Sequence, residues 1–187
     1  DAPAIFPLGA TTVTYTVTDG SGNTATATQV VTVVDNIDPT ITAPAAVSVN
    51  VDAGVCTTAL ANVPLGTPTT GDNCSVASTT NDAPAIFPLG ATTVTYTVTD
   101  GSGNTATATQ VVTVVDNIDP TITAPAAVSV NVDAGVCTTA LANVTLGTPT
   151  TGDNCSVAST TNDAPAIFPL GATTVTYTVT DGSGNTA

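Results

Sequence analysis

The chain has 187 residues with fourteen acidic side chains, all Asp, and no Lys, Arg or His, giving a formal charge of -14. With no Lys or Arg, nothing can displace counterions from a phosphate backbone, and an anionic membrane surface repels the chain, so nucleic acid and charged lipid are excluded as partners. The missing His and Lys also remove the imidazole base, the Schiff-base amine and the phosphate-binding lysine, and most enzyme mechanisms with them.

The apolar fraction is 42%, supplied mainly by Ala and Val, with three Phe, three Tyr and no Trp or Met. The β-branched excess, 43 Thr and 26 Val, favours strands over helices. No apolar run approaches the ~18 residues of a membrane span, so no membrane insertion is expected.

Residues 1–106 recur as 82–187, a period of 81, with a single difference, Pro64 against Thr145. That period is too long for a solenoid unit and suits a small domain in a string of beads, of which this chain reads as an excerpt. Val33-Val34-Asp35-Asn36-Ile37-Asp38-Pro39-Thr40, repeated at 114–121, ends a strand and restarts the chain at Pro. It is read as the linker, with Ile37 and Pro39 available to pack between beads. Residues 1–38 are then the last two strands of one copy, 39–119 a full copy, and 120–187 a copy lacking its last strand.

In the middle copy, period-two alternation predicts strands at 40–43, 46–52, 57–63, 75–80, 91–99 and 105–115. Val94, Tyr96 and Val98 fall on a core face, and Thr93, Thr95, Thr97 and Thr99 on the opposite one. Asp100-Gly101-Ser102-Gly103-Asn104 supplies a glycine-rich turn between the last two strands. Short strands at this density make the fold all-β, an antiparallel β-sandwich.

Cys56 and Cys74 have the same spacing as Cys137 and Cys155, one pair in each copy. Four cysteines allow three pairings. The pairing within each copy is expected, because it lets any number of copies fold independently, and it places the protein outside the cytoplasm. Two Cys without His cannot complete a zinc site.

Phe87-Pro88-Leu89-Gly90, then the stretch from Thr93 to Asp100, then Gly101-Ser102-Gly103-Asn104-Thr105-Ala106, then Asp116 to Pro120 resemble, in order and spacing, the hyalin repeat (HYR) family. Asp72-Asn73-Cys74 matches bacterial members. The resemblance covers the whole period and implies tandem immunoglobulin-like sandwiches used in extracellular adhesion. Long, near-identical arrays of this kind resemble the stalks of giant bacterial surface adhesins, gliding-motility ones included. Where members often carry a second cysteine pair, this chain has Ala43 and Ala124, and Ala27 and Ala108. Loss at both positions predicts that the two sites face each other.

In such a sandwich the linker and two loops gather at the pole where the chain enters. This would bring together Asp35, Asp38, Asp72, Asn73, Asp100 and Asn104, and again Asp116, Asp119, Asp153, Asn154, Asp181 and Asn185, with Asn36 and Asn117 alongside. Hard oxygen ligands at that density, with no cationic side chain beside them, suit calcium. The alternative is that Asp and Asn stand there because turns favour them. No other cofactor is expected.

A glycosidase pair needs a cleft with aromatic platforms, which three Phe and three Tyr cannot build, so catalysis is not expected. Thr ladders could match ice or carbohydrate only on flat sheets, and sandwich sheets twist. Asn143-Val144-Thr145 is an N-glycosylation triplet. The sequence therefore reads as a structural stalk or filament segment at the cell surface or secreted, its partners being neighbouring repeats and other copies in a filament. A weak multivalent module for a surface or glycan is the alternative.

Overall fold

The computed structural model describes residues 2–187, and apart from two short 3-10 turns its regular elements are strands. The first copy of the repeat contributes β1 (Gly9–Thr18) and β2 (Thr24–Val33). The middle copy holds β3 (Thr40–Thr42), β4 (Val47–Asn50), β5 (Thr57–Ala59), β6 (Thr69–Gly71), β7 (Val76–Asn81), β8 (Ile86–Pro88), β9 (Gly90–Asp100) and β10 (Thr105–Val115). The last copy holds β11 (Thr121–Thr123), β12 (Thr138–Ala140), β13 (Thr150–Gly152), β14 (Val157–Asn162), β15 (Ile167–Pro169) and β16 (Tyr177–Asp181). The all-β sandwich class expected from composition is the class observed.

The chain divides into two compact units. One comprises the segment up to Ala45, Gly66–Asp82 and Val94–Gln110. In it β1 and β2 form a ten-residue antiparallel hairpin from Gly9↔Val33 to Thr18↔Thr24. β3 pairs with β6, and β7 pairs with the second half of β9, from Asn81↔Tyr96 to Val76↔Asp100. Alternation along β9 sends Val94, Tyr96 and Val98 inward, each at most 2% exposed, as the sequence predicts. Thr93 is exposed and Thr95, Thr97 and Thr99 are half-buried. The turn closing β9 onto β10 needs its glycines for two reasons. Gly103 adopts φ +95°, and a Cβ on Gly101 would stand 2.7 Å from Ser75 Oγ.

The other unit comprises Ala46–Leu65, Ala83–Thr93 and Val111–Ala187. β4 runs parallel to the end of β10, Val47 opposite Val112, and β5 pairs with β8. Val51, Val63, Phe87, Val112 and Val114 are buried there. In the last copy β11 pairs with β13, β12 with β15, and β14 with β16.

The strand expected over 57–63 stops at Ala59, where Leu60–Asn62 turns as a 3-10 helix. Asp52 draws the chain round: Ala59 N and Asn62 Nδ2 each donate to its carboxylate at 2.8 Å. β6 and β8, three residues each, were not foreseen, since so short a run containing Gly or Pro shows no alternation. Identical tetrapeptides take different conformations in the two copies. Val47–Asn50 is a strand, whereas residues 128–131 are not, and Val128, Val130 and Val132 stand 46–51% exposed. The first has β10 beside it; the second has no such neighbour among the described residues.

Candidate functional site

Carboxylates gather where the chain enters each of the last two copies. Asp35 follows β2, Asp72 follows β6, and Asp100 ends β9; one carboxylate oxygen from each lies within 4.8 Å of the others. Asp72 Oδ2 accepts from the backbone N–H of Cys74 at 2.8 Å and of Ser75 at 2.9 Å, which folds the loop and aims Oδ1 elsewhere. Asp35 Oδ1 accepts from Ile37 N at 3.2 Å and Asn73 Nδ2 at 3.4 Å. The other oxygens, Asp35 Oδ2 and Asp72 Oδ1, are buried without a hydrogen-bond partner among the described residues. Asp100, 2% exposed, accepts from Ser102 N, Asn104 N and Asn104 Nδ2 within its own turn.

The second junction repeats this with Asp116, Asp153 and the sulfur of Cys155 within 4.8 Å. Asp116 is 8% exposed, and its Oδ2, Asp153 Oδ1 and Asn154 Oδ1 are buried without partners among the described residues. Asp181 is buried in its turn, held by Ser183 N, Asn185 N and Asn185 Nδ2, outside the second group. Asp38 and Asp119 belong to neither group.

Burial pushes the carboxyls of Asp100 and Asp181 up, but hydrogen bonds from the Asn104 and Asn185 side chains and from the turn's N–H groups outweigh it. Both are held below the ordinary range and stay charged. The Cys74 thiol is pushed up, first by its hydrogen bond with Asp35, then by desolvation and by the charges of Asp35, Asp72 and Asp100. Clustered anionic oxygens, some without a donor, are a donor set for a hard cation.

The same side chains clamp the linker. Asn104 Nδ2 donates to the carbonyls of Asp35 at 3.2 Å and Ile37 at 3.4 Å. Asn185 Nδ2 does the same to Asp116 and Ile118 at the same two distances. Pro39 and Pro120 are buried, while Ile37 is 57% exposed.

The expected pairing of Cys56 with Cys74 and of Cys137 with Cys155 is overturned. Cys56 bonds Cys155 of the next copy, with Cα atoms 4.7 Å apart, and Cys74 and Cys137 are free and exposed. Strand register explains why. In the last copy Thr138, beside Cys137, faces Pro169, whereas Val157, near Cys155, faces Asp181. The two cysteines thus lie beside different strands, one against β15 and the other against the end of β16, twelve positions further along the chain, while a disulfide needs Cα atoms within about 7 Å. Repetition makes each copy look self-sufficient. The usable signal was that Cys56 directly precedes β5 while Cys74 closes an Asp-Asn turn, features of different loops.

The HYR domain model matches residues 2–33, 34–114 and 115–187, so the chain belongs to the HYR domain family. It is 42% identical over 193 residues to hyalin of Strongylocentrotus purpuratus, covering 96% of this chain and 16% of that protein. To hyalin of Lytechinus variegatus it is 39% identical over 194 residues, covering 98% of this chain and 36% of that protein. The chain therefore spans well under half the length of either relative.

Proposed function

We propose that this chain is a non-catalytic stalk segment of a large extracellular or cell-surface adhesion protein, holding other parts at a distance. The observation that carries the reading is the linker clamp, made with the same partners at the same distances in both junctions. By the domain bounds 34–114 and 115–187, each clamp ties the segment where the chain enters a domain to a turn of that same domain, so the chain enters each domain in a fixed direction. In the middle copy Phe87 and Tyr96 are buried, which leaves no aromatic platform for a glycan and favours reach over ligand binding. The disulfide suits an oxidising compartment, and among the described residues no helix is long and apolar enough to cross a membrane. The likeness to hyalin supports an extracellular, adhesion-related repeat.

Calcium is the proposed ligand of the junction, held at the first by Asp35, Asp72 and Asp100 and at the second by Asp116 and Asp153. It would engage the unpartnered carboxylate oxygens and fix the linker further. The test is the melting temperature with calcium and with chelator, alongside amide order parameters for residues 35–38 and 116–119. A stalk has linker order near the ~0.85 of rigid backbone, against below ~0.6 for a flexible tether. Calcium at a hundredfold over its Kd stabilises by about 2.7 kcal/mol. That gain should vanish when Asp35→Asn and Asp116→Asn are combined. Flexible linkers sink the stalk; rigid linkers with no calcium shift sink only the cation.

A further inference from the structure

The four cysteines are of two kinds. Cys56 and Cys137 precede the Thr-Thr-Ala-Leu segment, and Cys74 and Cys155 follow Asp-Asn. The bond observed joins one of each kind from consecutive copies. The free cysteines sit in loops already shaped like the bonded ones. Cys74 N donates to Asp72 Oδ2 at 2.8 Å as Cys155 N does to Asp153 Oδ2, and Asn73 and Asn154 reach their neighbouring sulfurs at 3.3 and 3.4 Å. Around Cys137, Asp133 N donates to Thr138 O at 2.8 Å and Val136 N to Asp133 O at 3.2 Å. Around Cys56, Asp52 N and Val55 N make the equivalent bonds at the same lengths.

We propose that this disulfide is a staple repeated at every boundary between consecutive copies. A cysteine of the Cys56 kind bonds one of the Cys155 kind in the copy that follows. Cys74 and Cys137 are the preformed halves of further staples, with any copy that precedes or follows. Asn154 Nδ2 supports the observed junction, donating to Val55 O at 3.2 Å beside the bonded cysteine and to Asp116 Oδ1 at 3.3 Å. Each staple forms when two thiols give up two protons and two electrons to an acceptor disulfide, small-molecule or oxidoreductase, which leaves as two thiols.

The inference rests on the stalk reading and gives it a mechanism. With both ends of a copy stapled, the shortest covalent path through it runs from Cys155 back to Cys137, under a quarter of the period. Fully extended, that path spans roughly 65 Å and a whole period roughly 290 Å. A stapled array therefore cannot lengthen far even when its copies unfold, and tension bypasses the linker.

The single difference between copies makes the bond readable. Cleavage before Asp yields 52–71, carrying Cys56 and Pro64, and 133–152, carrying Cys137 and Thr145, which differ in mass. After alkylation without reductant, the first should be crosslinked and the second alkylated. The crosslink should survive Cys74→Ser and disappear in Cys155→Ser. A crosslinked 133–152 peptide, or a crosslink lost in Cys74→Ser, overturns the proposal. In arrays lengthened by whole periods, two thiols should stay free at any length, whereas pairing within copies leaves none. Pulled to full unfolding, the reduced array should extend about 4.5-fold further per added period than the oxidised one, the ratio of a whole period to the Cys137–Cys155 span. Equal extensions overturn the mechanical role. None of these readouts depends on linker order, so the staple and the stalk can fail separately.

Discussion

At the scale of single residues the repeat offers a controlled comparison, because the same side chains occur in different surroundings. Tyr96 Oη donates to Gln110 Oε1 at 2.8 Å with both residues 2% exposed, and Gln110 Nε2 donates on to Ala45 O at 2.6 Å. Tyr15 makes the same 2.8 Å bond to Gln29 while 55% exposed. A buried acceptor that loses its donor bears the full desolvation cost, about 1–3 kcal/mol, whereas an exposed one is rescued by water. Tyr96→Phe should therefore destabilise by that amount in denaturant melts, and Tyr15→Phe by less than about 0.5 kcal/mol. Equal losses would mean that burial does not set the value of this bond. Alternation alone placed Tyr96 in the core. It could not disclose the partner, because Gln110 lies on the adjacent strand and a polar residue carries no burial signal of its own.

At the scale of elements, the long strands were legible and the short ones were not. β9 shows long alternation, and β10 does too until Gln110 and Val111 break it; β6 and β8 are defined by the neighbour they pair with, and β4 exists only where β10 lies beside it. Its parallel register contains a testable detail. Val112↔Val47, through Val115↔Asn50, is a constant offset of 65, and the Gln110 bond to Ala45 continues it. Carried back two more positions, the offset sets Ala108 level with Ala43, the two positions whose cysteines the family resemblance implies were lost together. The double variant Ala43→Cys, Ala108→Cys should form a disulfide on air oxidation. A loop of this length is worth up to about 4 kcal/mol in the chain-entropy model. The gain should disappear on reduction. Two persistent free thiols at these positions would show that the register breaks before β4 begins.

For the whole molecule, the sequence disclosed the repeat and its charge but not how one copy is joined to the next. Repetition hides junctions, since a residue whose partner lies one period away looks the same as one whose partner lies within its own copy. Of the carboxylates expected together, Asp35, Asp72 and Asp100 form one group and Asp116 and Asp153 belong to the other, while Asp38 and Asp119 belong to neither, because proximity along the linker does not fix the side a carboxylate faces. Charge acts on a larger scale than these contacts. Fourteen carboxylates with no cationic side chain repel one another in the compact state, and raising salt from 0.01 to 0.15 M shortens the screening length from about 30 to about 8 Å. Sodium chloride should therefore raise the melting temperature at pH 7 by a few degrees, and calcium should be compared at matched ionic strength. Acid acts against this through the turns. Asp19, Asp100, Asp133 and Asp181 are held below the ordinary value of 3.8, for Asp19 and Asp133 chiefly by side-chain and backbone hydrogen bonds. Their folded forms release protons that the unfolded chain keeps. Their contribution is present above pH 3.8 and lost as pH falls through the lowered values. Melting curves from pH 7 down to about 2 at both salt levels separate the two effects. The salt increment should fade as the carboxylates protonate, and the melting temperature should fall below about pH 4 despite the relief of repulsion. A melting temperature that climbs on acidification would mean that global repulsion outweighs the hydrogen-bonded turns.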